Sequence, residues 1–167
     1  MSKLLRYYGS GQLYFVTAVT YDRLAILAEH ADLFWESIDK IREKAEFDLI
    51  AWIIMPDHFH AVIDFKESSL AEIMKRVKIS FAFLYRERLH LYRGRTWQNR
   101  YWDHVIRDQE DWNHHVDYIH YNPVKHRMAK SPFAWKESSI HKYFAEGYYS
   151  KDWGNLDIIE YESEYGE

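Results

Sequence analysis

Two short stretches hold residues whose types and spacing could do chemistry. In Met55-Pro56-Asp57-His58-Phe59-His60-Ala61-Val62, two histidines stand two apart ahead of a β-branched run, so residues 58–65 read as a strand. Positions i and i+2 of a strand share a face, which sets His58 and His60 side by side as two imidazoles able to bind one divalent metal. The second stretch is Asp117-Tyr118-Ile119-His120-Tyr121-Asn122-Pro123. On a helix Tyr118 and Asn122 are i and i+4, so if Tyr118 approaches a metal, the Asn122 carbonyl oxygen can reach the same ion. Pro123 should bound or kink that helix and leave Asn122 near its end. Each stretch alone has a plainer reading. An isolated His-x-His serves as polar surface on a half-exposed sheet, and a tyrosine on an apolar helix face serves as core.

The elements that must position these residues follow from the hydrophobic pattern. Leu13–Thr20 is a β-rich run after Gly9-Ser10-Gly11, hence a first strand. Leu33, Phe34, Ile38, Ile41 and Ala45 then recur at helical spacing within residues 30–47. Residues 47–54 read as a buried strand turned by Pro56-Asp57 into the histidine strand. Ser69 with Glu72 three positions on forms a capping box that opens a helix to about Leu89. An aromatic, alternating stretch over 96–106 predicts a fourth strand, and Asp108 can cap the following helix. Strand, helix, strand, strand, helix, strand is the split βαβ order of an α+β, ferredoxin-like fold. Its antiparallel sheet should carry helices on one face, leave the other face for a ligand, and be followed by a helical extension bearing Tyr118.

Composition narrows the chemistry. The 167 residues suffice for one domain with a core; no 18-residue apolar run and no signal-peptide pattern is present, so the expectation is a cytoplasmic, membrane-free protein. With no cysteine, metal ligands must come from His, Asp, Glu, Asn or Gln. The net charge of −4 conceals segregation. Residues 75–107 hold nine Lys or Arg against two acids, whereas 157–167 hold five acids and no base. A phosphate-binding face built on Lys75, Arg76, Lys78, Arg86, Arg93, Arg95, Arg100 and Arg107 is one reading, with Trp97, Tyr101 or Trp102 stacking on bases; a solvated helix face is the other.

The ordered motifs His58-Phe59-His60, Trp97-Gln98, Asp103-His104-Val105-Ile106-Arg107, Tyr118-Ile119-His120-Tyr121-Asn122-Pro123-Val124-Lys125-His126 and Gly147-Tyr148-Tyr149-Ser150-Lys151-Asp152-Trp153-Gly154 together resemble the REP-associated tyrosine transposases, a branch of the HUH single-tyrosine superfamily. The resemblance runs from about residue 12 to 154, with Arg127 standing where the family often has glycine. It implies residues 1–155 as a single HUH-type transposase domain and 156–167 as an acidic tail. It further implies His58, His60 and Asn122 as ligands of Mg²⁺ or Mn²⁺, Tyr118 as nucleophile, and single-stranded DNA carrying a hairpin-forming REP-like palindrome as substrate. The expected product is a 5′-phosphotyrosine, formed by a monomer in preference to a homodimer. Two other classes remain open: a non-catalytic nucleic-acid-binding module on a ferredoxin-like fold, and a metal-dependent phosphoesterase using water. The tail interleaves Ile158, Ile159, Tyr161 and Tyr165 with its acids, and could lie across the basic face as an autoinhibitory segment.

Overall fold

The structure is a computed structural model that describes residues 12–155 and 165–166. Strands β1 (Leu13–Val19), β2 (Asp48–Ile54), β3 (His58–Asp64) and β4 (Trp102–Val105) form one antiparallel sheet in the order β2-β3-β1-β4. Helix α1 (Ala31–Arg42) connects β1 to β2, and α2 (Leu70–Arg88) connects β3 to β4. This is the split βαβ arrangement. Helices α3 (Gln109–Lys125) and α4 (Ile140–Ala145) follow. The Gly9-Ser10-Gly11 stretch lies outside the described residues.

Alternation along the strands makes two cores. Phe59, Ala61 and Ile63 of β3 join Val16 and Ala18 of β1 against Leu33, Phe34 and Ile38 of α1 and Ile73, Val77 and Phe81 of α2. Val62 of β3, with Phe15, Ala51 and Ile53, points the other way, onto Trp112, Val116 and Ile119 of α3. The second face is therefore not left for a ligand as the sequence pattern led one to expect. Trp112, Val116 and Ile119 recur at i, i+4 and i+7, and that stripe must itself be buried.

The caps hold as expected. Ser69 Oγ accepts from the Glu72 N–H, and Asp108 Oδ1 accepts from the Asp111 N–H at 2.9 Å, opening α2 and α3. Pro123 does not end its helix: α3 runs on to Lys125, with the His126 N–H returning to the Asn122 carbonyl. The fourth strand is shorter than its aromatic stretch. Only 102–105 pair with β1, and Trp97 touches the sheet through a single bridge to Thr20.

Candidate active site

His58 and His60 leave β3 on the α3 side, opposite Val19 and Thr17 of β1. Their ring centroids are 4.8 Å apart, and both side chains are buried. Local hydrogen bonds fix how they face. Asp57 Oδ1 lies 2.7 Å from His58 Nδ1, so that nitrogen donates and Nε2 is turned toward Asn122 Oδ1 at 3.2 Å. Thr17 donates its one hydroxyl hydrogen to the Tyr165 carbonyl, so at 2.8 Å His60 Nδ1 must be the donor to Thr17 Oγ1. The His60 lone pair is then on Nε2, as a metal ligand requires.

Burial, followed by the charges of His58 and Lys125, pushes His60 well below the ordinary histidine range, which keeps it neutral. Burial raises Asp57, but the hydrogen bond and charge of His58, with Arg23 at 3.2 Å, outweigh it and bring the carboxyl to about 2. Asp57 is thus an anion that orients the His58 ring, as carboxylates behind metal-ligating histidines do.

Helix α3 brings the other half. Tyr118 has no exposed surface and its ring lies 5.2 Å from that of His60, while Asn122 is equally buried one turn on. The expected four residues therefore converge: His58 and His60 from one rigid strand, Tyr118 and Asn122 from one rigid helix. As a donor set, two imidazoles and an amide oxygen suit a divalent ion of the Mg²⁺ or Mn²⁺ kind, Mn²⁺ accepting nitrogen more readily. The separation of 3.2 Å between His58 Nε2 and Asn122 Oδ1 is compatible with two ligands of one ion.

Three more neighbours surround the four: Lys125 and His126, quoted from sequence only within the family motif and given no role, and Tyr165, read there only as part of the tail. Lys125 Nζ donates to the Tyr118 hydroxyl at 2.7 Å and lies 4.6 Å from the ring centroid. Its position at i+7 from Tyr118, on the same helical stripe, was the signal available. The His126 ring lies 5.2 Å from that of His58, and burial lowers its pKa to about 4. Tyr165 stacks on Tyr118 at 3.9 Å and 26°.

The basic segment is dispersed. Lys75 and Arg76 stand exposed on α2, on the opposite side of the sheet from Tyr118, and face Glu72. Lys78 donates to the Gln98 carbonyl at 2.6 Å, Arg86 to Gly94 at 3.2 Å, and Arg95 lies 4.8 Å over the Tyr21 ring. Arg93 and Arg100 are exposed, and Arg107 binds Asp111. Trp97 offers no stacking face: 6% exposed, it packs edge-on against Phe59 and Phe81. Trp102 is half-buried beside Phe15 and Tyr165.

Among the described residues, His104, Asp111 and His115 also bring three ligand atoms within 4.8 Å and could hold a metal ion. Asp111 there already accepts from His104 Nε2 at 2.9 Å, from the Arg107 N–H at 3.0 Å and from its guanidinium at 3.2 Å. That network ties β4 to the first turn of α3. His120 is a structural link too, joining Tyr149 OH and Ser139 Oγ, each at 2.8 Å.

The chain has relatives in sequence and in fold. Residues 9–122 match the family described as "Transposase IS200 like". A REP-associated tyrosine transposase of Escherichia coli (strain K12) is 32% identical over 96% of this chain and 95% of its own length. A Haemophilus influenzae relative is 32% identical over 95% of this chain and 97% of its own. A solved REP-associated tyrosine transposase bound to a REP hairpin superposes with a TM-score of 0.78 at 30% identity, covering 97% of this chain and 96% of that one. The chain belongs to the IS200-like transposases and, within them, to the REP-associated tyrosine transposases.

Proposed function

We propose that this protein cleaves and rejoins single-stranded DNA beside a hairpin formed by a repetitive palindrome, with Tyr118 as nucleophile and His58, His60 and Asn122 as holders of Mg²⁺ or Mn²⁺. The observation that carries it is the meeting of those four side chains from β3 and α3. When bound, the metal supplies Lewis-acid polarisation of the scissile phosphate. The chain's own residues do the rest. Asp57 and Thr17 hold the two imidazoles in one tautomer each, and the strand fixes their spacing. Attack forms a bond from the Tyr118 oxygen to phosphorus while the bond from phosphorus to the 3′ oxygen breaks; the phenolic proton is lost, and the leaving oxygen gains one. The 5′-phosphotyrosine keeps the bond energy for later attack by another 3′ hydroxyl.

The hairpin-bound relative supports the substrate. Exposed Arg93 and Arg100 are the cations of the basic segment best placed to meet phosphates. The protein acts in the cytoplasm as a monomer; among the described residues no helix is long and apolar enough to cross a membrane. Tyr165 must leave Tyr118 before DNA reaches it, so residues 156–167 act as an inhibitory tail on a domain ending near 155.

The test is covalent trapping. With Mn²⁺ and a hairpin oligonucleotide carrying a single-stranded flank, the protein should yield an adduct that survives denaturation and maps to Tyr118. Tyr118→Phe should lose adduct and cleavage yet retain hairpin affinity. Cleavage without adduct would make the chain a phosphoesterase using water; binding with neither would make it a binding module.

A further inference from the structure

Tyr118 is enclosed on nearly every side. Phe15 and His60 flank its ring, Tyr165 covers it, and no part of the residue is exposed. A phosphate that reaches its oxygen needs a route, and charge to meet it. Lys125 marks one. Two turns further along α3, it is itself exposed, yet its ammonium folds back to donate to the Tyr118 oxygen at 2.7 Å. The two positions are i and i+7, so one rigid helix fixes their distance whatever the tail does.

We propose that Lys125 is a catalytic residue of the cleavage reaction: its ammonium holds the Tyr118 oxygen for attack and then pairs with the phosphate that this oxygen carries. The inference rests on the reading of Tyr118 as the nucleophile. The step balances without a new reactant. The phenolic proton passes to water, the tyrosine oxygen–phosphorus bond forms as the phosphorus–3′ oxygen bond breaks, and the 3′ oxygen takes a proton from water, while Lys125 keeps its three protons throughout. What it supplies is a positioned donor and a positive charge where negative charge accumulates on phosphorus-bound oxygens, the kind of interaction that works best in a partly dry site. Partial burial of the ammonium lowers the Lys125 pKa, as expected for an exposed side chain whose tip turns inward onto Tyr118.

The geometry also separates Lys125 from substrate affinity in general. A single charge at the reacting atom is a small part of a hairpin-binding surface but a large part of the stabilisation of the attacked phosphate. Lysine-to-arginine exchange keeps charge and donors at similar reach, whereas methionine keeps only the stem.

The experiment compares wild type, Lys125→Met, Lys125→Arg and Tyr118→Phe as full chains, with Mn²⁺ and saturating hairpin oligonucleotide, reading the single-turnover rate of adduct formation, hairpin Kd and melting temperature. Lys125→Met should slow adduct formation by about 100-fold, the cost of losing one positioned transition-state donor. Hairpin Kd and melting temperature should be unchanged, and Lys125→Arg should recover much of the rate. Wild-type rate in Lys125→Met overturns the proposal while leaving Tyr118 as nucleophile. A slow methionine variant whose hairpin Kd rises or whose melting temperature falls in parallel, with no recovery by arginine, overturns it in favour of a structural role. If wild type gives no adduct that Tyr118→Phe removes, the nucleophile assignment and this inference fall together.

Discussion

The two faces of the sheet are made by the same strands, in an alternation that a register shift between Leu49 and Ala51 interrupts in β2, and carry opposite chemistry. Toward α1 and α2, β3 sends Phe59, Ala61 and Ile63 into an apolar cluster. Toward α3 it sends His58 and His60 along with Val62, and β1 adds Thr17 beside Phe15. One face gains by excluding water from hydrocarbon. The other buries imidazoles, a hydroxyl, an amide and a phenol, each of which must find a partner or cost stability. A face with that many satisfied polar groups is built for a task, and it is held in place by the apolar face behind it.

The sharpest way to break the comparison is to remove the imidazoles. His58→Ala and His60→Ala should each reduce Mn²⁺-dependent cleavage to background, because a site with three protein ligands has none to spare; tenfold or greater losses in metal affinity are typical even for partners behind the ligands, roughly 10–100-fold. Both variants should still fold. Titration calorimetry showing unchanged Mn²⁺ affinity in both would remove β3 from the metal site and turn attention to His104, Asp111 and His115.

On the apolar face the consequence is reversed. Phe81 is fully buried between Phe34 and Trp97, so Phe81→Ala should cost about 3–5 kcal/mol in urea unfolding. The folded fraction should still form adduct at the wild-type rate. A loss of rate per folded molecule would mean that the two faces are coupled more tightly than layer packing implies.

How much of this was legible follows the same division. The apolar face announces itself by period: the α1 and α2 stripes, the Ser69 and Asp108 caps, and the strand reading of residues 58–65 all depend on neighbours three or four positions away, or two. So does the pairing of Tyr118 with Asn122. What the sequence hid is long-range or one-sided. That Thr17 would donate to Tyr165 and thereby set the His60 tautomer involves residues 148 positions apart. Trp97 reads as a stacking aromatic, but the chain turns away after one bridge and leaves the indole in the core. Lys125 was visible as i+7 from Tyr118, yet its side chain's return to the hydroxyl depends on rotamers that spacing does not specify. The tail was expected over the basic segment. Instead Tyr165 lies on the α3 side, while Ile158, Ile159 and Tyr161 fall outside the described residues.

A smaller effect separates the faces by pH. Burial raises Asp111, but the hydrogen bonds from His104 and Arg107 lower it further, to about 2 from an ordinary 3.8. Its folded pKa is depressed, so the unfolded chain takes up the proton first. The stabilisation is therefore complete above about 4 and is lost as pH falls toward 2, amounting to about 2 kcal/mol by linkage. Asp111→Asn should make urea stability less steep across that window, leaving the share that Asp57 carries with its own carboxyl at about 2. An unchanged slope would mean that the carboxylate, for all its donors, is no better off folded than unfolded.

The mildest perturbation concerns Tyr165, which lies on Tyr118. Its ring stacks on Tyr118 at 3.9 Å and packs edge-on to Phe15, and its carbonyl accepts the Thr17 hydroxyl hydrogen. Gly166 follows with φ +77°, where a Cβ would lie 2.3 Å from Trp102 Cβ, so only glycine lets the chain pass that indole. These contacts compete with DNA for one place. An aromatic pair contributes about 0.5–1.5 kcal/mol beyond its buried area, so truncation after Asn155 should accelerate adduct formation by several-fold to about tenfold at constant ionic strength. Gly166→Ala, which disturbs the seat of Tyr165 without removing charge, should give a smaller gain in the same direction. The pair of variants separates two forms of inhibition. If truncation accelerates cleavage and Gly166→Ala does nothing, the acidic residues of 157–164 carry the effect by competing for cations; if both accelerate, the Tyr165 plug carries it; and if neither does, with circular dichroism unchanged, Tyr165 yields to DNA at no measurable cost and the tail regulates nothing.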